Sequence, residues 1–299
     1  MNRLPHRLEI RCNPANPAFY LACCGLFDLL ARLDPEAKGH WRATAPTAFL
    51  LDTRVAEADF LTTLLDTFCT PARWRYEPPR HGTAPATIHV AFVPPGGPEE
   101  LVVPLDWWFE TVTLRGEVNA KSAWKMYAGQ QTVAGITGDM ITEGGKLRTL
   151  GRLPGTLTDL LACEVDMSGR FGLDPRSSRN ALDVGYSPND LGLPVKTAPF
   201  MELLATFGLA SFFPGRGGHA RKLSSSRGWL DRKKTEDTKG PAHEPGFLYA
   251  LWPDPLPILL ARRAACRVTP GVPTLFAVRA TRKNYSNLTL AQIAPANLN

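Results

Sequence analysis

Apolar positions along the chain recur at two spacings, which predict helices and strands in mixed order. Alternation predicts a first strand over Leu8–Cys12, after which Asn16 is well placed to cap a helix. That helix, Pro17–Leu33, is apolar on nearly every side, so we expect it to be buried at the centre of the fold. Gly25 in its middle is expected to permit close packing against a sheet.

The same spacings predict further elements along the rest of the chain. Strands are predicted at Trp41–Ala45, Ala48–Leu51, Arg73–Tyr76, Thr87–Val93, Thr111–Arg115, Leu209–Phe213, Gly246–Trp252, Ala264–Thr269, Thr274–Thr281 and Leu288–Ile293. Helices are predicted at Val55–Phe68, from Thr132 to about Ile141, at Leu157–Met167 and at Pro199–Phe207. The order β-α-β-(β)-α-β is that of a ferredoxin-like or related fold, so we expect an α+β protein with one elaborated domain over residues 1–299.

A turn rich in lysines, aromatic rings and amides follows the strand predicted at Thr111–Arg115. Lysine neutralises phosphate, aromatic rings stack on bases, and amides bond to sugar or base edges. The residues with this chemistry are Lys121, Trp124, Lys125, Tyr127, Gln130 and Gln131. They predict a nucleic-acid contact; the alternative is that Trp124, with Trp107 and Trp108, belongs to the core and that the lysines are solvated.

Positive charge is concentrated in one segment of the chain. The net charge is +6, and between Gly215 and Lys239 eight basic residues face three acidic ones, a local excess of five. The bases are Arg216, Arg221, Lys222, Arg227, Arg232, Lys233, Lys234 and Lys239. Such localised charge is typical of nucleic-acid binding, and the segment has too few apolar residues for a core of its own. We therefore expect a mobile basic insertion at about 215–245 that becomes ordered on a partner.

A second polar segment, residues 168–194, is rich in Gly, Pro, Ser, Asn and Asp. It also holds three arginines, Arg170, Arg176 and Arg179, and two apolar anchors, Phe171 and Tyr186. A loop of this length in a compact domain is usually functional or disordered, and the anchors favour order. The alternative is an ordinary surface loop that has no functional role.

Sequence signatures of common enzymes do not occur: there is no HExxH, GxSxG, Walker A or GxGxxG pattern, and the cysteines and histidines lack zinc-ligand spacing. We therefore predict no catalysis, cofactor or metal. Two enzymatic alternatives stay open. Asp166, Asp174 and Asp183 could converge in a nuclease, and His219 could serve a metal-independent ribonuclease.

No apolar run reaches the roughly 18 residues of a membrane span, and residues 1–14 lack the apolar core of a signal peptide. We expect a cytoplasmic protein that has no membrane partner.

Three stretches together resemble a family of CRISPR-associated proteins. They are NPANPAFYLACCGLFDLLARLDP, SAWKMYAGQQ and FFPGRGGHARK, and they are similar to a family of the type I-U (I-G) systems within the RAMP superfamily. The resemblance covers about a third of the chain. It implies a ferredoxin-like, RRM-like core of the RAMP type, with long insertions and a basic flexible arm.

The resemblance also implies a function: a non-catalytic subunit of a Cascade-like ribonucleoprotein complex in antiviral defence. Its implied partners are CRISPR RNA, target DNA or both, and other subunits of the complex. The nucleic-acid contacts it implies are Lys121, Trp124, Lys125, Tyr127, Gln130 and Gln131 in the central motif, Arg216, His219, Arg221 and Lys222 in the glycine-rich turn, and Arg227, Arg232, Lys233 and Lys234 in the arm. The alternatives are an endoribonuclease that processes guide RNA and a protein-only scaffold that uses Trp107, Trp108 and Trp229.

Overall fold

The computed structural model describes residues 4–78, 87–94, 96–105, 133–167, 169–178, 195–213, 229–230, 246–267, 269–282 and 285–293. These ranges contain helices and small antiparallel sheets, which confirms the predicted α+β class. Among the described residues no helix combines the length and the apolar character that crossing a membrane requires.

The helices are α1 (Pro17–Leu33), α2 (Glu57–Phe68), α3 (Val133–Thr149), α4 (Leu157–Ala162), α5 (Pro199–Phe212) and α6 (Ile258–Ala265). The strands are β1 (His6–Arg11), β2 (Lys38–Arg42), β3 (Ala48–Thr53), β4 (Trp74–Glu77), β5 (Thr87–Phe92), β6 (Glu99–Pro104), β7 (Val165–Met167), β8 (Val195–Thr197), β9 (Trp229–Leu230), β10 (Gly246–Ala250), β11 (Leu256–Pro257), β12 (Thr274–Arg282), β13 (Tyr285–Leu288) and β14 (Gln292–Ile293).

Helix α1 has the predicted bounds and lies in the middle of the core. Its N-cap is Asn16, whose side chain accepts a hydrogen bond from the Ala18 amide at 3.0 Å. The helix packs along α5, and both helices are buried on nearly all sides. Gly25 therefore packs against a helix and not against a sheet: a Cβ on Gly25 would lie 2.1 Å from the carbonyl oxygen of Leu204 on α5. Because no side chain separates the backbones here, the two helices cross in direct contact.

One sheet has the strand order β1-β3-β2-β11 and is antiparallel throughout. Strands β1 and β2 thus run parallel on either side of β3, with α1 as the crossover between them, which is a split β-α-β unit. The face of this sheet toward α1 carries buried apolar side chains, among them Ile10, Trp41 and Phe49. Tyr20 of α1 stacks on Trp41, with ring centroids 5.3 Å apart.

Three further sheets surround this centre. Strands β4, β5 and β6 form an antiparallel sheet, β7 pairs with β8, and a larger sheet has the order β13-β12-β10-β9 with β14 also on β12. Strand β4 pairs with β5 and not with β1. The larger sheet joins the core through Tyr249, whose ring lies 4.2 Å from that of Tyr20.

Several predicted elements differ from the structure. Residues 209–212, predicted as a strand, continue α5, and residues 264–265, also predicted as a strand, belong to α6. The helix predicted at Leu157–Met167 ends at Ala162, and β7 follows it. Strand β6 was not predicted, and the strand predicted at Thr111–Arg115 lies outside the described residues.

Candidate nucleic-acid interface

The fourteen residues predicted to contact nucleic acid all lie outside the described residues. Six of them fall within residues 106–132, and the other eight fall within 214–228 and 231–245. The described residues nevertheless include those on either side of residues 214–245 and the two residues of β9 within that range. These residues show where the basic segment is joined to the core.

The two ends of the basic segment, residues 214–245, attach to neighbouring points of the core. Phe213, which follows α5, is 1% exposed, and Phe247 of β10 is 0% exposed. Their rings pack edge to face, with centroids 4.9 Å apart. Aromatic pairs of this geometry are stabilising beyond the area that they bury. The described residues that flank the basic segment therefore meet at one aromatic contact.

Strand β9 fixes a third point of the basic segment. Leu230 pairs with Gly246 and Trp229 with Phe247, antiparallel along β10. This pairing divides the segment into two pieces of different charge. Residues 214–228 hold four bases and no acid, whereas residues 231–245 hold four bases and four acids. The excess positive charge thus belongs to the first piece, a division that the sequence pattern alone does not show.

The described part of the chain, by contrast, is neutral. It contains 19 Lys and Arg residues and 19 Asp and Glu residues, so the net charge of +6 lies on the remaining stretches. Many of its arginines are already paired with carboxylates, as in Arg7–Asp52 at 2.6 Å, Arg148–Asp66 at 2.6 Å and Arg176–Asp174 at 2.8 Å. Most of the described surface therefore has little charge to offer a polyanion.

The polar segment predicted as a functional loop is described over residues 169–178, and its start is firmly anchored. Phe171 is 0% exposed, as predicted. The amides of Phe171 and Asp174 each donate a 3.0 Å hydrogen bond to the carboxylate of Glu202, which is 0% exposed on α5. Glu202 uses one oxygen for each amide, so it fixes two points of the loop at once.

Asp174 ties the same loop to the start of α1. Its carboxylate, 2% exposed, accepts hydrogen bonds from the Asn16 side-chain amide and from the Arg176 guanidinium, both at 2.8 Å. The Arg176 guanidinium also lies over the Phe19 ring, 4.9 Å from its centroid. These contacts give the buried carboxylates of Asp174 and Glu202 hydrogen-bonding partners.

Burial raises the pKa of Glu202 to about 7, although the Asp174 amide opposes the shift. The negative charge of Asp174 raises this pKa further, while the positive charge of Arg170 lowers it. Because the carboxyl group is enclosed, it cannot touch a substrate. Its role is therefore to hold the loop through its two backbone hydrogen bonds, whose strength changes near neutral pH as the carboxyl group gains or loses its proton.

The trio proposed for a nuclease is not assembled by the described residues. Asp174 is committed to Asn16 and Arg176, Asp166 is exposed on β7, and Asp183 lies outside the described residues. Within the described ranges no group of three or more His, Cys, Asp and Glu side chains could hold a metal ion. His219 also lies outside the described ranges.

The sequence reasoning missed Glu202 as a site residue. The available signal was that Glu202 is the sole charged residue in α5, whose other side chains are apolar or small. A buried charge in such a helix requires hydrogen-bonding partners.

The chain has no match among protein-family models, curated proteins or solved structures.

Proposed function

We propose that this protein is a non-catalytic subunit of a type I CRISPR interference complex, binding CRISPR RNA, target DNA or both. The observation that carries the proposal is the separation of charge within the chain. The described residues are neutral, while the basic segment, residues 214–245, holds eight bases and four acids, a net charge of +4. That segment is attached to the core at the Phe213–Phe247 contact and at β9. A neutral core with one basic segment is suited to holding a phosphate backbone.

The arrangement of the first sheet supports a RAMP-type core for the proposed subunit. The element order β1-α1-β2-β3-α2 and the strand order β1-β3-β2 are those of the first part of a ferredoxin-like fold. Strand β4 joins another sheet, so it does not supply the fourth strand of that fold. The first stretch that resembles the CRISPR-associated family supplies the Asn16 cap and α1, the centre of this unit.

The charge division at β9 provides a matched pair of variants to test the proposal. One variant carries Arg221→Gln, Lys222→Gln and Arg227→Gln; the other carries Arg232→Gln, Lys233→Gln and Lys234→Gln. Binding of a labelled single-stranded 30-nucleotide RNA is followed by fluorescence anisotropy at several salt concentrations. We expect the first variant to reduce the slope of log K against log salt concentration by up to about 2, because each lost phosphate contact lowers this slope by about 0.7.

The second variant removes the same charge from the piece that already holds four acids, so a smaller change is expected. Equal unfolding temperatures for both variants and the wild type serve as the control for folding. An unchanged slope in both variants would exclude the basic segment as the binding element, and a wild type that binds no nucleic acid would overturn the proposal.

The assignment to a complex has its own test. The tagged chain is co-expressed with its neighbouring genes and a repeat array, and the protein is purified in the presence of a chelator. Any nucleic acid that co-purifies is then sequenced. RNA of uniform guide length in a larger particle supports the subunit. A monomer that is free of nucleic acid and of other subunits contradicts it, and shortened RNA that depends on His219 would show an endoribonuclease instead.

A further inference from the structure

The sheet β1-β3-β2 has a second face, which points away from α1. Successive side chains of a strand alternate between the two faces. Leu8 and Ile10 of β1 are buried toward α1, so Arg7, Glu9 and Arg11 lie on the opposite face. Arg7 and Arg11 are exposed there, with 53% and 72% of their side chains accessible. This second face is hereafter the outer sheet face.

Strand register places the residues of this face in three rows across β1, β3 and β2. The rows are Arg7–Asp52–Lys38, Glu9–Leu50–His40 and Arg11–Ala48–Arg42. A cation therefore occupies each corner of the grid. With about 4.8 Å between strands and about 3.3 Å per residue, the corners enclose roughly 10 by 13 Å.

The carboxylates of the outer sheet face neutralise two of its four cations. Asp52 pairs with Arg7 at 2.6 Å, and Glu9 pairs with both Arg42 at 2.9 Å and Arg11 at 3.1 Å. Lys38 has no carboxylate within 4.0 Å among the described residues. The grid residues thus comprise four cations and two carboxylates, an excess of two positive charges among themselves, while Asp254 lies near enough to act on His40.

His40 adds no further charge to this grid at neutral pH. Burial lowers its pKa, and the positive charge of Arg7 lowers it too; the opposing effects of Asp52 and Asp254 do not reverse this shift. The other central side chains, Leu50 and Ala48, are apolar and buried. The outer sheet face thus presents cations at its corners around a centre that carries no excess charge.

We propose that the outer sheet face is a second contact surface for the phosphate backbone of single-stranded nucleic acid, with Lys38 and Arg11 as its principal phosphate contacts. The inference rests on the proposed function and extends it from the basic segment to the described core. The grid residues of the described strands have no large aromatic ring on this face, so the contact is with phosphate and carries no base preference. The ion pairs of Glu9 hold the side chains of Arg11 and Arg42 in place before the nucleic acid binds.

Chemical footprinting of lysines tests this surface directly. Wild-type protein is acetylated with N-hydroxysuccinimidyl acetate, with and without the 30-nucleotide RNA, and each lysine is quantified by mass spectrometry. We expect several-fold protection of Lys38 by the RNA. Lys146 on α3, which is paired with Glu143, is the internal control and should react equally in both samples.

A double variant, Arg11→Gln with Lys38→Gln, gives an independent measurement. It should reduce the salt slope of RNA binding by about 1.4, whereas Arg75→Gln with Arg148→Gln, which removes the same charge from other exposed ion pairs, should leave it unchanged. If the wild type binds RNA and Lys38 reacts equally with and without RNA, the inference is overturned and the proposed function stands. If the wild type binds no RNA, both are overturned.

Discussion

At the scale of single residues, one buried acid and its partners connect two distant parts of the chain. Glu202 receives two backbone amides from the loop 169–178, and Asp174 of that loop receives the side chain of Asn16. Asn16 also caps α1, so one amide side chain both starts a helix and fixes a loop. Loss of a single polar group here would leave others buried without partners, which costs more than the bond itself.

The raised pKa of Glu202 predicts how stability depends on pH. A carboxyl group with a pKa of about 7 in the folded protein and about 4.5 when unfolded keeps its proton longer in the folded state. The free energy of unfolding should therefore fall as pH rises from about 4.5 to about 7, by roughly 3 kcal/mol at most. Glu202→Gln should abolish this part of the dependence, as measured by urea unfolding between pH 5 and pH 8.

The matched control for this prediction is Glu143→Gln, at a carboxylate of the α3 surface that pairs with Lys146. It should keep the pH dependence of the wild type. Parallel curves for Glu202→Gln and wild type would show that Glu202 does not titrate in this range.

At the scale of elements, α1 and α5 cross with their backbones in direct contact at two glycines. A Cβ on Gly208 of α5 would lie 1.9 Å from the carbonyl oxygen of Leu21, just as one on Gly25 would meet Leu204. Both clashes are with backbone, which cannot rotate away as a side chain can. The pair therefore sets the distance between the two helices on which the rest of the core is built.

Substitution of either glycine should be costly. Gly25→Ala and Gly208→Ala should each lower the free energy of unfolding by about 3 kcal/mol or more, because the added methyl group forces two backbones apart. Gly138→Ala in α3, where an added Cβ meets nothing within 4 Å, is the matched control and should stabilise by about 0.5–1 kcal/mol. Urea unfolding of the three variants measures the difference; a similar cost at all three positions would rule out the close crossing as its cause.

The predicted elements were most accurate where the sequence carries a local signal. Helix α1 has an N-cap, a proline at its first position and a continuous apolar run, and its bounds were predicted correctly. Residues 209–212 of α5, Leu-Ala-Ser-Phe, show no clear helical periodicity, because the helix is buried on nearly all sides, so they are equally compatible with a buried strand. Contacts such as Asn16 with Asp174 join residues far apart in sequence, and no local pattern reveals them.

At the scale of the whole molecule, charge and apolar packing are separated along the chain. The described core is neutral, and it gathers its aromatic side chains from both ends of the chain: Tyr20 and Trp41 meet Tyr249 and Trp252. The excess positive charge lies in a segment that contributes only the β9 pairing to the described sheets. Substitution of the basic residues should therefore leave the core unchanged, so that any effect on the proposed binding can be attributed to charge.

The adjacent attachment points of residues 214–245 have a consequence for the integrity of the chain. A single cleavage within this segment would yield two fragments, residues 1 to about 236 and the remainder, which share one core. Tyr20 of the first fragment donates a hydrogen bond to Ala250 of the second, and Trp252 of the second donates one to Gly39 of the first. Strand β11 of the second fragment also pairs with β2 of the first.

Protein cleaved at a protease site introduced at residue 236 should accordingly elute as one intact particle in size-exclusion chromatography and separate only in denaturant. Separation of the fragments in native buffer would contradict this. The peptide bond at this point is then dispensable for the folded state. The two fragments, expressed as separate polypeptides, should therefore associate noncovalently and restore the folded protein.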